Sequence, residues 1–117
     1  MPLEQPYVLK VEEVPPKAIV AKLEGVLNTE CAQPLQKELM SISPRAGVVV
    51  IDMSAVKFIS STPLGVLVAL HKKLKMQGGG KVRLAALPRP IESVIRALCL
   101  HQAIELFPTV KEALAAE

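Results

Sequence analysis

The stretch Phe58-Ile59-Ser60-Ser61-Thr62-Pro63-Leu64-Gly65-Val66 holds the change of periodicity on which the fold turns. Upstream of it, Val48-Val49-Val50-Ile51 is a continuous β-branched run ending in Asp52. Such a run suits a strand buried on both faces in the centre of a sheet. Downstream, Leu64, Leu67, Val68, His71 and Leu74 recur at helical spacing until Gly78-Gly79-Gly80 stops them. Three hydroxyl side chains stand at the junction, where they make a poor core and a good helix start. Thr62 reads as the N-cap and Pro63 as the first helical residue, which leaves Ser61 just before the cap and facing solvent. A helix N-terminus offers unpaired N–H groups and partial positive charge, so a phosphate is well placed there. No catalytic constellation surrounds the hydroxyls, a pattern that fits a protein acted upon better than one that acts.

Working outward, Tyr7 to Val14 reads as a first strand closed by Pro15-Pro16, and Ala18 to Glu24 as a second strand ended by Gly25. Pro15-Pro16-Lys17 is short enough to make the two a hairpin. Asn28 or Thr29 then looks like an N-cap, and Ala32, Leu35, Leu39 and Ile42 form one apolar helical stripe that Ser43-Pro44 closes. Pro34 falls near the first turn, where proline is tolerated. After the glycine stop, Val82 to Leu87 is a further strand. Ile91, Val94, Ile95 and Leu98 make another helical stripe behind Pro88 and Pro90. Ala103 to Phe107 is a short strand, and Val110, Ala113 and Leu114 fit a final short helix. The order is β-β-α-β-α-β-α-β-α. It predicts a small α/β domain with a mixed sheet of five strands, its central strands parallel and joined by right-handed crossovers, with helices packed against it.

Composition narrows the function. A chain of 117 residues, 50% of them apolar, is long enough for one core and not two, so residues 1–117 read as a single domain. No window approaches the roughly 18 uninterrupted apolar residues of a membrane span, and Met1-Pro2-Leu3-Glu4-Gln5 lacks a signal-peptide layout. A cytoplasmic protein is expected. Cys31 and Cys99 are far apart and outside any Cys-x-x-Cys pair, so free buried thiols are expected. His71 and His101 have no ligand-spaced partners, which leaves no metal site. The net charge of +3 owes much to His71-Lys72-Lys73-Leu74-Lys75, Lys81, Arg83, Arg89 and Arg96. With Tyr7, Phe58 and Phe107 the only aromatics, these read as a solvated surface and not as a nucleic-acid site. Gly78-Gly79-Gly80 follows a helix and precedes no Gly-Lys-Ser/Thr, so it is a stop and not a phosphate cradle. Asp52 has no companion base or nucleophile; it reads as a turn residue or as an acidic group beside Ser61. His71 reads as a partly buried helix residue, and Met40, Met53 and Met76 as core or edge fillers.

The order of elements, Leu23-Glu24-Gly25-Val26-Leu27-Asn28, Ile51-Asp52 with Phe58 to Gly65, the Gly78-Gly79-Gly80-Lys81-Val82 turn and the Ile91 to Phe107 segment together resemble the STAS family. This family comprises bacterial anti-sigma factor antagonists and the cytosolic domains of sulphate transporters. In the antagonists an Asp-Ser-Ser-Gly-Leu-Gly segment carries a regulatory serine, which the resemblance lays on Ser61. Ser60 then stands for the aspartate, Thr62 for the second serine and Pro63 for the first glycine, while Leu64 and Gly65 match outright. A Gly-x-Leu-Asp signature falls on Gly25 to Asn28, with asparagine for aspartate.

The resemblance implies a partner-switching regulator of transcription. Such a protein binds an anti-sigma factor that is also a serine kinase, loses that binding when Ser61 is phosphorylated, and regains it through a phosphatase. The ATP belongs to the kinase, so neither a cofactor nor an enzymatic activity is implied for this chain. The implied partner surface is the end of the second strand (Gly25 to Asn28), the Phe58 to Gly65 loop and the exposed side of the helix beginning at Pro63, with Gly25, Asn28, Asp52, Ser60, Ser61, Thr62, Leu64 and Gly65 as its named residues. Two other readings stand beside it: a STAS scaffold subunit that is never phosphorylated, and a small-ligand-binding α/β domain using Asp52 and the hydroxyls. A homodimer is left open.

Overall fold

The structure, a computed structural model, describes residues 7–14, 18–42 and 47–116. Its central element is the strand that the valine run begins. In chain order the elements are β1 (Tyr7–Val14), β2 (Ala18–Leu27), a 3-10 turn (Thr29–Cys31) running into α1 (Ala32–Ile42), β3 (Val48–Ile59) and α2 (Ser61–Gly78). They continue with β4 (Lys81–Ala85), α3 (Arg89–Ala97), a second 3-10 turn (Leu100–Gln102), β5 (Glu105–Phe107) and α4 (Val110–Ala115). The strands form one sheet in the order β1-β2-β3-β4-β5, antiparallel between β1 and β2 and parallel from there on. This is the mixed five-stranded α/β sheet that the alternation predicts. The pairing of Val14 with Ala18 fits the expected hairpin. Its Pro15-Pro16-Lys17 turn lies outside the described residues, as do Ser43-Pro44 and the side chain of Ile42.

The two faces of the sheet are covered unequally. On one face Leu35 and Leu39 of α1, Leu64, Leu67, Leu70 and Leu74 of α2, and Ile91 and Ile95 of α3 pack on Leu23, Val49, Ile51, Met53, Val56 and Leu84. On the other, Ala113 of α4 covers Val50 and Ala85, with Val20, Val48 and Phe107 at the margin. Val49, Val50 and Ile51 are each fully buried, as a central parallel strand requires.

Several expectations are corrected. β2 does not stop at Gly25 but continues to Leu27, and β3 runs on past Asp52 to Ile59. Two register shifts accompany the extension: β3 takes one extra residue between the Lys22–Asp52 and Glu24–Ala55 pairs, and another between Gly25–Val56 and Val26–Phe58. Each bulge resets the alternation, so Met53, Val56 and Ile59 all reach the core at a spacing that no regular strand allows. β4 ends at Ala85, short of the expected Leu87. Val94 and Leu98 are exposed, because only one turn-spaced pair of α3, Ile91 and Ile95, faces the sheet. Met76 is 87% exposed and fills nothing. Cys99, expected to be buried, is exposed; both cysteines are free.

The basic group also divides. Arg83 is not surface: it is 2% exposed on β4. Its Nη1 donates to the carbonyls of Ala113 and Ala116 at 2.8 Å each, and its Nε donates to Glu105 Oε1 at 3.2 Å. The guanidinium lies 5.5 Å from the centre of the Phe107 ring. The last carbonyls of a helix lack intrahelical donors, and Arg83 supplies them from the sheet beneath. The six-residue α4, too short to hold itself, is thereby fixed at its C-terminal end, while the Thr109 hydroxyl accepts from the Glu112 N–H at its start.

His71, 8% exposed on α2, accepts the Val82 N–H on Nδ1 at 3.0 Å and so holds the beginning of β4. Burial, then the charges of Lys75 and Lys81, lower its pKa below the ordinary 6.5, against a weaker opposing effect of Glu105.

Arg83→Ala removes the donor from the carbonyls of Ala113 and of the cap residue Ala116 and should cost about 2–4 kcal/mol in urea unfolding, with Arg83→Lys recovering part of it. For His71 the unfolded chain takes up a proton near the ordinary value and the folded chain only at lower pH. Stability is therefore complete above that value and falls as pH drops through it toward the folded pKa. In His71→Asn, whose amide oxygen can accept the Val82 N–H, the midpoint lost between about pH 7.5 and about pH 5 should be smaller than in the wild type.

Candidate functional site

The hydroxyl cluster sits where β2 and β3 end side by side. Their last pairs are Val26 with Phe58 and Leu27 with Ile59. The Ser60 N–H then donates to the Leu27 carbonyl at 2.9 Å, which closes the ladder. Gly25 lies at the second bulge with φ of 96°, a left-handed conformation costly for any residue with a Cβ. Past Leu27, Asn28 begins the 3-10 turn and its carbonyl accepts the Cys31 N–H at 3.0 Å. Its side-chain oxygen accepts from the buried Cys31 thiol at 3.2 Å, so the Asn28 amide is tethered from below. The Thr29 hydroxyl reaches across to the Ser60 hydroxyl, with the oxygens 3.3 Å apart.

The helix starts two residues earlier than the hydroxyl pattern suggests. Ser60, at φ −91° and ψ 173°, is the N-cap of α2, and Ser61, Thr62 and Pro63 are its first three residues. Thr62 is therefore not the cap, and Pro63 is not the first helical residue. The register remains compatible with proline, because the first helical bond runs from the Leu64 N–H to the Ser60 carbonyl at 3.4 Å. No N–H before Leu64 has an intrahelical acceptor. The physical reason for the shift is long-range: the Ser60–Leu27 bond ends the strand, and helical geometry begins at the next residue.

This arrangement leaves Ser61 and Thr62 exposed in the first turn and Ser60 half-buried. The Ser60 hydroxyl makes no capping bond, and the first turn of α2 carries no acidic side chain. The N-terminal dipole therefore faces solvent uncompensated beside Ser61. Pro63 and Leu64 are buried, with Leu64 1% exposed, so Leu64 anchors the turn to the core and offers no surface to a partner. Gly65 is exposed one turn after Ser61, and a Cβ added there would meet nothing within 4 Å. Phe58 is half-exposed at the same end of β3, two residues before Ser60 and on the side of the sheet opposite the buried Ile59.

Asp52 does not belong to this patch. It is a mid-strand residue of β3, paired with Lys22 and Ala85 and bonded through Oδ1 to the Ser54 N–H at 3.0 Å. It lies about 25 Å along the strand from Ser60, given a rise of roughly 3.3 Å per residue. It opens onto the face that α4 covers, in a depression of about 520 Å³ shared with Lys10, Lys22 and Val110. It is neither a turn residue nor a neighbour of Ser61. Gly25, Asn28, Ser60, Ser61, Thr62 and Gly65 are brought to one end of the sheet as expected, with Phe58 in the expected Phe58 to Gly65 segment, and Thr29 and Cys31 join them unannounced. Nothing local marks Thr29 or Cys31, because their partners depend on the β2–β3 register. Among the described residues no group of three His, Cys, Asp or Glu side chains could hold a metal ion.

Comparison with known proteins agrees with this geometry. Residues 10–113 match the STAS domain family model. Among curated proteins no sequence matches the chain significantly. Among solved structures, an anti-sigma factor antagonist from Mycobacterium paratuberculosis superposes with a TM-score of 0.82 at 26% identity, covering 96% of each chain. The unphosphorylated form of the anti-sigma factor antagonist SpoIIAA gives 0.78 at 16% identity, over 92% of this chain and 93% of that one. A sulfate transporter family protein from Wolinella succinogenes gives 0.74 at 19% identity, over 89% and 87%. The last two likenesses bear on the fold alone. With the family model matched over residues 10–113, this chain belongs to the STAS domain family.

Proposed function

We propose that this protein is an anti-sigma factor antagonist of the partner-switching type, which binds a serine-kinase anti-sigma factor and is released when Ser61 is phosphorylated. The observation that carries the reading is the position of Ser61: exposed, first in an 18-residue helix, and free of acidic neighbours in its turn. A phosphate there brings about −1.5 to −2 charges to the positive end of a helix dipole, which the fold tolerates. The same charge inside a close-packed interface loses its water and repels any partner carboxylate, so one modification ends the complex and leaves the domain folded. The likeness to the mycobacterial antagonist supports the choice of partner. The protein acts in the cytoplasm as a binding partner and needs no cofactor. No described helix is long and apolar enough to cross a membrane.

The contact surface comprises Asn28, Phe58, Ser61, Thr62 and Gly65; Asp52 and Leu64 lie outside it. Gly65 supports this reading independently. A glycine inside a helix costs about 0.5–1 kcal/mol relative to alanine, and no internal packing asks for it here. A partner chain lying flat against α2 would ask for it.

The phosphate is tested on protein taken from its host in growth and in stress. Cleavage after Lys57 and Lys72 isolates Ser60, Ser61 and Thr62 in one peptide. Phosphate on Ser61 that changes with condition and vanishes in Ser61→Ala is expected. Full coverage with no phosphate in any condition would refute the switch in favour of a constitutive scaffold. For Gly65, Gly65→Ala should raise stability by about 0.5–1 kcal/mol in urea unfolding. Gly65→Arg should stay folded but fail to capture the kinase partner that the wild type captures.

A further inference from the structure

β1 ends the sheet on one side, and among the described residues none pairs with its outer edge. Such an edge presents a row of unpaired N–H and C=O groups. The helical layer thins out over it: Tyr7 is buried and bonded to Glu38 of α1, but Val11, on the same side of the sheet, is 44% exposed. Val8, on the opposite side, is 46% exposed. Among the described residues, exposed apolar side chains and backbone groups without a strand partner thus coincide along β1.

Natural edges of this kind are guarded by charge, and Lys10, Glu12 and Glu13 guard this one against indiscriminate pairing. Their order has a second consequence. When two copies of β1 meet antiparallel around a two-fold axis, backbone polarity requires that the axis pass through a residue paired with its own copy. Centred on Lys10, the register sets lysine against lysine; centred on Glu12, it sets glutamate against glutamate. Centred on Val11, it sets Lys10 against Glu12 twice, Val8 against Val14 twice and Val11 against itself. Registers centred further out shorten the ladder. The Val11-centred register also sets Leu9 against Glu13 twice, so this one arrangement pairs Lys10 with Glu12, covers both exposed valines and spans the strand.

We propose that this chain forms a two-fold homodimer by antiparallel pairing of β1 with β1 of a second copy, centred on Val11. The two five-stranded sheets become one continuous sheet. Because the strands run in opposite directions, the two Ser61 patches, each beyond the Leu27 end of its own β2, lie at opposite ends of the dimer. Neither obstructs the other, and the dimer presents two independent docking surfaces. The proposal does not depend on phosphorylation of Ser61.

Sedimentation velocity over a concentration series tests it. The wild-type chain is expected to pass from 12.6 kDa to twice that mass as concentration rises. Lys10→Glu and Glu12→Lys, each folded by circular dichroism, should each raise the dissociation constant at least ~10-fold, because each places two like-charge pairs across the axis. An equimolar mixture of the two variants restores Lys–Glu pairs at both positions and should dimerise as the wild type does. Lys10 also pairs with Glu24 on β2 at 3.4 Å, which the mixture does not restore, so recovery in the mixture reports the intermolecular contact alone. A wild-type chain monomeric at roughly 500 µM, a dimer indifferent to both substitutions, or a mixture that stays monomeric would each overturn the proposal.

Discussion

The parallel pairing of β2 with β3 is the constraint from which the functional end of this molecule follows. Parallel neighbours cannot be joined by a tight turn, so the chain must cross over, and α1 is that crossover. Once the two strands lie in register their ends are fixed together, and the Ser60–Leu27 bond of 2.9 Å is the last rung. It decides three things at once: where β3 stops, where α2 begins, and that Asn28 and Thr29 stand beside Ser60 and Ser61. The two bulges in β3 belong to the same constraint. They let a strand of twelve residues keep pace with one of ten while still turning Val56 and Ile59 inward.

The sheet treats its two faces differently, and the difference supports the division of labour. The face under α1, α2 and α3 is a continuous apolar layer that holds the first turn of α2 through Pro63 and Leu64. Among the described residues the other face is covered by α4 alone, held to the sheet by Arg83 through the carbonyls at the helix's C-terminal end. Buried polar groups appear where the apolar pattern alone would leave main-chain groups unpaired: Arg83 at the end of α4 and His71 at the start of β4. Ser61 is thus carried on a helix whose inner side is packed on the core, while its first turns present hydroxyls and a glycine to solvent and Phe58 stands exposed at the end of β3 beside them.

Much of this was legible in the residues. The valine run, the helical stripes of α1 and α2 and the glycine stop after Gly78 each announce themselves within a dozen residues, because burial imposes a period on the local sequence. The cluster around Ser61 was legible for the same reason, as hydroxyls at a change of period. What misled was local grammar applied too locally. Thr62-Pro63 is a good helix start by capping preference, yet Ser60 takes the cap because the ladder with Leu27 ends there. Asp52 looked like a strand end because the β-branched run ends there, yet β3 continues through Met53, Val56 and Ile59 at a bulged spacing.

By itself, then, the sequence determined the order of strands and helices, the core stripes of α1 and α2 and the exposed hydroxyls at the head of α2. These are consequences of which side chains can leave water, and the chain carries that information within each element. Only the tertiary structure decided which residues share the surface with Ser61, that Arg83 and His71 serve the backbone of other elements, and that Asp52 lies on a different face. Those facts depend on strand register and bulges, which are set by pairing between segments far apart in the chain and shift whole sets of side chains from one face to the other by a single residue.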